Sequence, residues 1–400
     1  MRCALDLEKR LRGAARIVLI DRNSSHLFTP ALYEVASAYP MNDDPYQLYL
    51  RKAVSISYGE IFEDKKVDLV QAEVATVNLG AKHVILDSGD QIDFDYLVIG
   101  LGSQSSDFGI SGVNEYAYKF KTTEDAMALH QKLESLLLDV RESRLVSPAK
   151  VLVIGAGFTG IELAAELRTC GRKLAIKHGL SPQAVSVTLF EAGPKILPMI
   201  SDSERALIRK RLTNLGIIIM EDSAIESVFA ESIKLKDGKT INGSAVVWTA
   251  GVRPSAVAAG IHGMPLTPKG KIIVNQFLRV EDQANVFAVG DTAEFIDPKN
   301  QKPVPGLAYV AAEQGRVAAK NVIAAIHGKS PKSYNPNYGS WIAPVGGKFA
   351  VAHVEVGTLS GYGGWFVRLL VDLKYFLSIL PFKKALRLFR KDLILFSKND

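Results

Sequence analysis

The chain has 400 residues, 48% of them apolar and 22% charged, with a net charge of +6. That length suits two or three domains, and the mild basic excess gives no general nucleic-acid signature. Cys3 and Cys170 form no CxxC or other short spacing, which argues against a disulfide framework, a zinc site and a dithiol redox centre. The opening residues carry Arg2, Asp6, Glu8, Lys9 and Arg10, unlike a secretion signal. No apolar run is long enough to cross a bilayer.

In chain order, "MRCALDLEKRL" predicts a helix, and "RIVLI" (Arg16 to Ile20) a buried strand closed by Asp21. The alternation from Val67 to Gly100 predicts several strands, with a turn at Asp87 to Asp90. "TTEDAMALHQKLESLLLDV" predicts a helix capped by Thr122 or Thr123. From Lys150 the order is strand, glycine turn and helix, then a strand from Ala184 to Glu191. "SDSERALIRKRLTNLG" is the next helix, followed by "IIIM", a hairpin at Lys236 to Lys239, and "AVVWTAG" ending at Gly251. "NVFAVGD" (Asn285 to Asp291) is another buried strand, and a long helix follows with Pro305 near its start. Both halves thus run strand, helix, strand, acid, antiparallel excursion.

The strongest chemical signal is Gly155-Ala156-Gly157-Phe158-Thr159-Gly160, between "VLVI" and "IELAAEL". Gly155 permits the tight turn, Gly157 admits a pyrophosphate to backbone N–H groups, and Gly160 lets helix and strand pack closely. Glu191, at the next strand end, can accept from an adenosine ribose and repel a 2′-phosphate, which favours NAD over NADP. Its gap from Gly160 is longer than usual, so a plain strand-end acid is the competing reading. Asp21, with Arg22 beside it, occupies the matching place in the first half and can hold a second ribose. Gly290-Asp291 suits a polyol chain such as a flavin's, and a helix starting near Gly306 would aim its positive end at the flavin ring. Alone, such a pair is an ordinary turn.

Several stretches together resemble a family. "HLFTPALYEVASA" (His26 to Ala38), "FDYLVIGLGSQSSDFGISGVNEYAYKFKTTEDAMAL", "VLVIGAGFTGIELAAEL", "WTAGVRPS" and "NVFAVGD" occur in the order and spacing of type II NADH dehydrogenases. The resemblance covers nearly the whole chain. It implies FAD and NADH as cofactors, a quinone as acceptor and no proton pumping. It implies that His26 and Pro30 to Tyr33 line the FAD site and that Gly102 and Gly251 lie in backbone contacts. It also puts Glu162 near the nicotinamide, and Glu313 and Gln314 on the flavin and quinone side. The sequence departs from the pattern at Tyr309 and Glu313, where the family carries glutamines, and at Gly100-Leu101, where Ala-Thr is usual.

The tail has two helical stripes: Phe366, Leu369, Leu370, Leu373, Leu377 and Leu380, then Phe382, Ala385, Leu386, Phe389 and Leu393. Arg368, Lys374, Lys383, Lys384, Arg387, Arg390 and Lys391 outnumber Asp372 and Asp392. This basic amphipathic pattern suits an anionic membrane surface, with Trp365 and Tyr375 at the interface. The competing reading packs the helices on the protein's own core or on a second copy, as a homodimer.

The expected fold is α/β, with two Rossmann-like dinucleotide-binding domains of the three-layer ββα type and a C-terminal amphipathic helical segment that binds membrane. Residues 1–115 and 271–330 are expected to bind FAD, 116–270 NAD, and 331–400 the membrane, at the cytoplasmic face. The opening helix is expected to be the first helix of the FAD domain, without the strand and GxGxxG turn that precede it in the family. A soluble reductase of a ferredoxin- or rubredoxin-type partner, or a redox-silent NAD-binding protein, is the alternative function.

Overall fold

The computed structural model describes residues 1–38, 52 and 54–399. In chain order, helix α1 (Arg2–Leu11), strand β1 (Val18–Asp21) and helix α2 (Leu32–Ser37) come first. Strands β2 (Asp68–Gln71), β3 (Leu97–Ile99) and β4 (Ala117–Lys119) precede helix α3 (Thr123–Arg141). Strand β5 (Ala149–Ile154), helix α4 (Phe158–Lys177), strand β6 (Val185–Phe190) and helix α5 (Asp202–Asn214) follow. Then come strands β7 (Ile218–Met220), β8 (Ala245–Trp248) and β9 (Val286–Ala288), and helix α6 (Ala308–Ile326). Strands β10 (Trp341–Pro344), β11 (Ala350–Val354) and β12 (Gly357–Gly361) lead into helices α7 (Tyr362–Ile379) and α8 (Phe382–Asn399).

The chain divides into two compact units. The first holds residues 1–26, 56–104 and 252–338; the second holds 27–55, 105–251 and 339–400. In the second unit β4, β8, β5, β6 and β7 form one parallel sheet in that order. The central strands β5 and β8 are buried on both faces, which is why "VLVI" and "AVVW" read as unbroken apolar runs. Helix α3 starts with a reciprocal cap. The Asp125 N–H donates to Thr122 Oγ1 at 3.1 Å, and the Thr122 N–H donates to the Asp125 carboxylate at 2.8 Å. Ser201 and Glu204 cap α5 in the same way.

The antiparallel sheet β10–β11–β12 lies outside the elements expected from the sequence. Helix α5 anchors it: Glu204 Oε1 lies 2.6 Å from His353 Nδ1 and accepts from the Thr358 hydroxyl at 2.8 Å. Arg211 donates to the carbonyls of Val345 and Gly346. Helix α7 lies on β11 at Gly364, where a Cβ would stand 2.2 Å from the Ala350 carbonyl oxygen.

In the first unit β1 pairs with β2 and β3 with β9, all parallel; among the described residues these are two separate two-stranded ladders. Helix α1 packs on α6, and Gly315 permits the approach, since a Cβ there would lie 3.3 Å from Arg2 Cβ. Each unit carries a three-stranded antiparallel excursion, 74–93 in the first and 225–242 in the second. That is the shared design the sequence suggested. Helix α6 begins at Ala308 with Leu307 as its N-cap, near Gly306 as the sequence suggested.

Helix α7 differs from the sequence expectation. Its inward face carries Gly364, Arg368, Phe376 and Ile379, while Phe366, Leu370, Val371 and Leu377 are exposed. Arg368 is therefore not part of the basic surface face expected of it. Its guanidinium is buried, donating at 2.8 Å to Glu34 Oε1 on α2. Among the described residues, no helix is long and apolar enough to cross a membrane.

Leu163 of α4 is fully buried. Leu163→Ala is expected to lower the unfolding free energy by about 2–5 kcal/mol, through lost burial and the cavity left. Urea denaturation followed by circular dichroism checks this, and an unchanged midpoint would contradict the packing described.

Candidate functional site

The glycine turn joins β5 to α4 in the second unit. Gly155 has φ +102°, and a Cβ on it would lie 2.5 Å from Ala250 Cα. A Cβ on Gly160 would lie 1.8 Å from the Gly155 carbonyl oxygen. These two glycines are therefore demanded by the fold. Gly157 is different, because a Cβ there would meet nothing within 4 Å. It is the N-cap of α4, with no side-chain cap and no acid in the first turn. The opening above Gly157 thus faces backbone N–H groups and the positive end of a helix, the arrangement that receives a pyrophosphate.

Glu191 lies beside this turn. Its Oε2 accepts from the Ala156 N–H at 3.0 Å and its Oε1 from the Gly193 N–H at 2.9 Å. The strand-end acid thus ties the turn in place and keeps further lone pairs for a ribose. Next to it is a cavity of about 440 Å³, lined in part by Pro194, Lys195, Ser201 and Arg205. Both cations are committed. Lys195 reaches Asp202 at 3.2 Å, and Arg205 donates to the carbonyls of Ile196, Leu197 and Ile200. At Gly251 a Cβ would lie 2.4 Å from the Phe108 ring, and the Gly251 carbonyl accepts from the Ser106 N–H.

Glu162 sits on the second turn of α4. Burial pushes its carboxyl up to about 8, with Arg368 opposing and Glu34 adding. It is not the solvated side chain that a lone helix acid suggests. The Tyr33 ring lies 5.4 Å from the Arg368 guanidinium carbon. Pro30, in the short turn Thr29–Ala31, belongs to this unit. Sequence reading missed the partnership of Glu34, Arg368 and Asp372. The available signal was an i, i+4 Arg–Asp pair set among leucines.

In the first unit, Asp21 Oδ1 accepts from the Asn23 N–H at 2.9 Å and Oδ2 from the Tyr58 hydroxyl at 2.7 Å. Arg22 is exposed and lies 3.7 Å from Glu73. Burial lowers His26 to about 4, with Asp21 opposing, so its imidazole is neutral at pH 7. Four expected residues come together at the end of β9. Asp291 Oδ2 accepts from the Ser103 hydroxyl at 2.6 Å, and the Gly102 carbonyl accepts from the Thr292 hydroxyl at 2.9 Å. The Gly290 N–H donates to Gln314 Oε1 at 2.6 Å. A Cβ on Gly306 would lie 2.6 Å from Asp291 Oδ1. A cavity of about 10 Å³ between Lys271, Asp291 and Gln314 holds one water-sized group. Helix α6 starts here without a side-chain cap. Glu313, half-buried, adjoins Gln314 on this helix. Burial, then Glu313, pushes the Tyr309 phenol up to about 12.

Both cysteines are buried. Burial pushes the Cys3 thiol up to about 12 and raises Cys170 further, so neither is a ready nucleophile. Among the described residues no cluster suits a metal ion.

Comparison with known proteins agrees with this geometry. The sequence model of the pyridine nucleotide-disulphide oxidoreductase family matches residues 1–315. The type II NADH:quinone oxidoreductase of Staphylococcus epidermidis is 30% identical over 398 residues, covering 95% of this chain and 94% of that protein. Its Staphylococcus aureus counterpart is 30% identical over 388 residues, covering 93% and 92%. The fold matches NDH2 from Plasmodium falciparum, solved in complex with NADH, at a TM-score of 0.84 and 17% identity, covering 98% of this chain and 95% of that one. It also matches the sulfide:quinone oxidoreductase of Aquifex aeolicus at a TM-score of 0.75 and 19% identity, covering 94% and 88%. From its own motifs and these relatives, the chain belongs to the pyridine nucleotide-disulphide oxidoreductase family, among the type II NADH:quinone oxidoreductases.

Proposed function

We propose that this chain oxidises NADH, passing a hydride to FAD and two electrons on to a membrane quinone, without pumping protons, at the cytoplasmic face of the cell membrane. The observation that carries this reading is the glycine cradle. The fold requires Gly155 and Gly160, whereas Gly157, at the uncapped start of α4, opens onto empty space, which leaves room for a pyrophosphate to approach the backbone N–H groups. The relatives' activity as type II NADH:quinone oxidoreductases supports the same reading.

Residues 116–270 are assigned to NADH. Gly155, Gly157 and Gly160 receive the pyrophosphate, Glu191 the ribose, and Gly251 closes the turn beside them. Residues 1–115 and 271–330 are assigned to FAD, with Asp21, Arg22, His26, Pro30, Gly102, Gly290, Asp291 and Gln314 as its contacts. The residues around Asp291 fit that group: a strand-end carboxylate, a positive-φ glycine at Gly102 with open space around it, and the uncapped start of α6. FAD, when bound, supplies the two-electron carrier between donor and acceptor. Gln314 fixes the Gly290 turn, while Glu162, Glu313 and Gln314 are the polar groups assigned to the reacting ends. Glu162 stays protonated at neutral pH and can give up a proton.

Residues 331–400 are assigned to the membrane. Phe366, Leu370, Val371 and Leu377 of α7, with Phe382, Leu386 and Ile394 of α8, are exposed, beside exposed Lys383, Arg387, Arg390 and Lys391. A helix with its Arg inside and its Phe and Leu outside is built to meet an apolar phase.

Gly157→Ala tests the cradle. Gly157 has φ −74°, so alanine fits the backbone, and the variant is expected to melt within about 2 °C of wild type. It should lose NADH affinity by about tenfold or more, near 1.4 kcal/mol, in calorimetric titration. Unchanged affinity would overturn the assignment. For the membrane, Phe366→Ser with Leu370→Ser should weaken binding to phosphatidylglycerol vesicles at least several-fold without altering the circular dichroism spectrum. Equal flotation of variant and wild type would refute this.

A further inference from the structure

Residues 331–400 are assigned above to the membrane, yet their sheet β10–β11–β12 reaches the glycine turn. Trp341 of β10, His353 of β11 and Thr358 of β12 stand directly opposite one another in the two antiparallel ladders, so their side chains share one face. On that face the Trp341 ring stacks on the His353 ring, with centroids 6.1 Å apart and planes 12° from parallel. Trp341 also meets the Phe158 ring, with centroids 5.4 Å apart. Phe158 is the first residue of α4 and directly follows its N-cap, Gly157. His353 Nδ1 lies 2.6 Å from Glu204 Oε1, and the Thr358 hydroxyl donates to the same oxygen. Glu204 Oε2 accepts from the Ser201 hydroxyl at 2.7 Å and from the Ser201 N–H at 3.1 Å. Ser201 in turn lines the cavity beside Glu191.

The start of α4 carries no side-chain cap, so its first N–H groups are open to a ligand. The turn before it is tied by hydrogen bonds. Glu191 holds the Ala156 N–H, and the Thr249 hydroxyl donates to the carbonyls of Ile154 and Gly155. Those bonds all end before Gly157. The next side chain is Phe158, and Trp341 is the ring set against it. An aromatic contact holds that side chain in place without occupying the N–H groups a pyrophosphate needs. One face of the sheet thus touches both walls of the nucleotide site, the helix start through Phe158 and the cavity through Glu204 and Ser201.

We propose that Trp341 is a positioning residue for NADH. It holds Phe158, and with it the N–H groups of the cradle, while His353 and Glu204 brace its ring against the cavity wall. This rests on the NADH reading of the glycine turn given above. The effect falls on nucleotide binding and not on the electron transfer that follows. The sheet that carries α7 thereby serves the dinucleotide site as well.

The test uses the FAD-loaded full chain, titrated calorimetrically with NAD+, which leaves the oxidised flavin unreduced. Trp341→Ala should raise the NAD+ dissociation constant, and the KM for NADH, roughly three- to tenfold. Its kcat at saturating NADH and its KM for a short-chain quinone should match wild type. Trp341→Phe, which keeps a ring, should restore most of the affinity. In a Phe158→Ala background Trp341→Ala should add nothing further, because the ring it acts through is gone. Circular dichroism checks the fold, and Trp341→Leu replaces the alanine variant should that one unfold. Wild-type NAD+ affinity in a folded variant without the ring would overturn the positioning role. So would a loss that stays equally large in the Phe158→Ala background. A wild type that binds neither NAD+ nor NADH would instead overturn the nucleotide reading on which the role rests.

Discussion

The ion pair between Arg368 and Glu34, 2.8 Å long and closed to solvent, decides which way the C-terminal helices face. The two residues are 334 positions apart in the chain. A buried ion pair adds little net stability, since desolvation offsets much of its Coulomb gain, but breaking one costs about 3–5 kcal/mol. Its effect is therefore directional. With Arg368 held inside, the helical repeat turns Phe366 and Leu370 outward. Gly364 and Phe376 fix the same orientation through β11 and the Phe28 ring, whose centroid lies 5.1 Å from that of Phe376. One charge pair thus supports both an apolar surface and a buried acid cluster.

What could be read from the sequence was local. The glycine turn, the caps at Thr122 and Ser201, the paired excursions and the strand-end acids all lie within a few residues of what defines them. The acids' partners could not be read. Glu191 serves Ala156 as well as any ligand, and Asp21 serves Tyr58 across 37 positions. The leucine stripe of α7 reads equally as core or membrane face. Partners far along the chain, Glu34 on α2, Ala350 on β11 and Phe28, turn it. The start of α6 at Ala308, close to Gly306, was by contrast local enough to read.

The family likeness and the local chemistry divide the explanation between them. Thirty percent identity over almost the whole chain fixes the family, while the individual residues show where this member differs. On α6, Glu313 adds to burial in raising the Tyr309 phenol. Both cysteines are buried with raised thiols, so the disulphide chemistry in the family's name has no counterpart here. What remains is hydride chemistry between nucleotides and an exposed apolar surface on α7 and α8.

The central claim is electron flow from NADH to quinone through one bound flavin. Stopped-flow absorbance on the FAD-loaded full chain tests it most directly. NADH should bleach the flavin band, NADPH should do so far more slowly, and a short-chain quinone should restore it at a rate matching turnover. A flavin that NADH reduces but quinone leaves bleached would contradict the account.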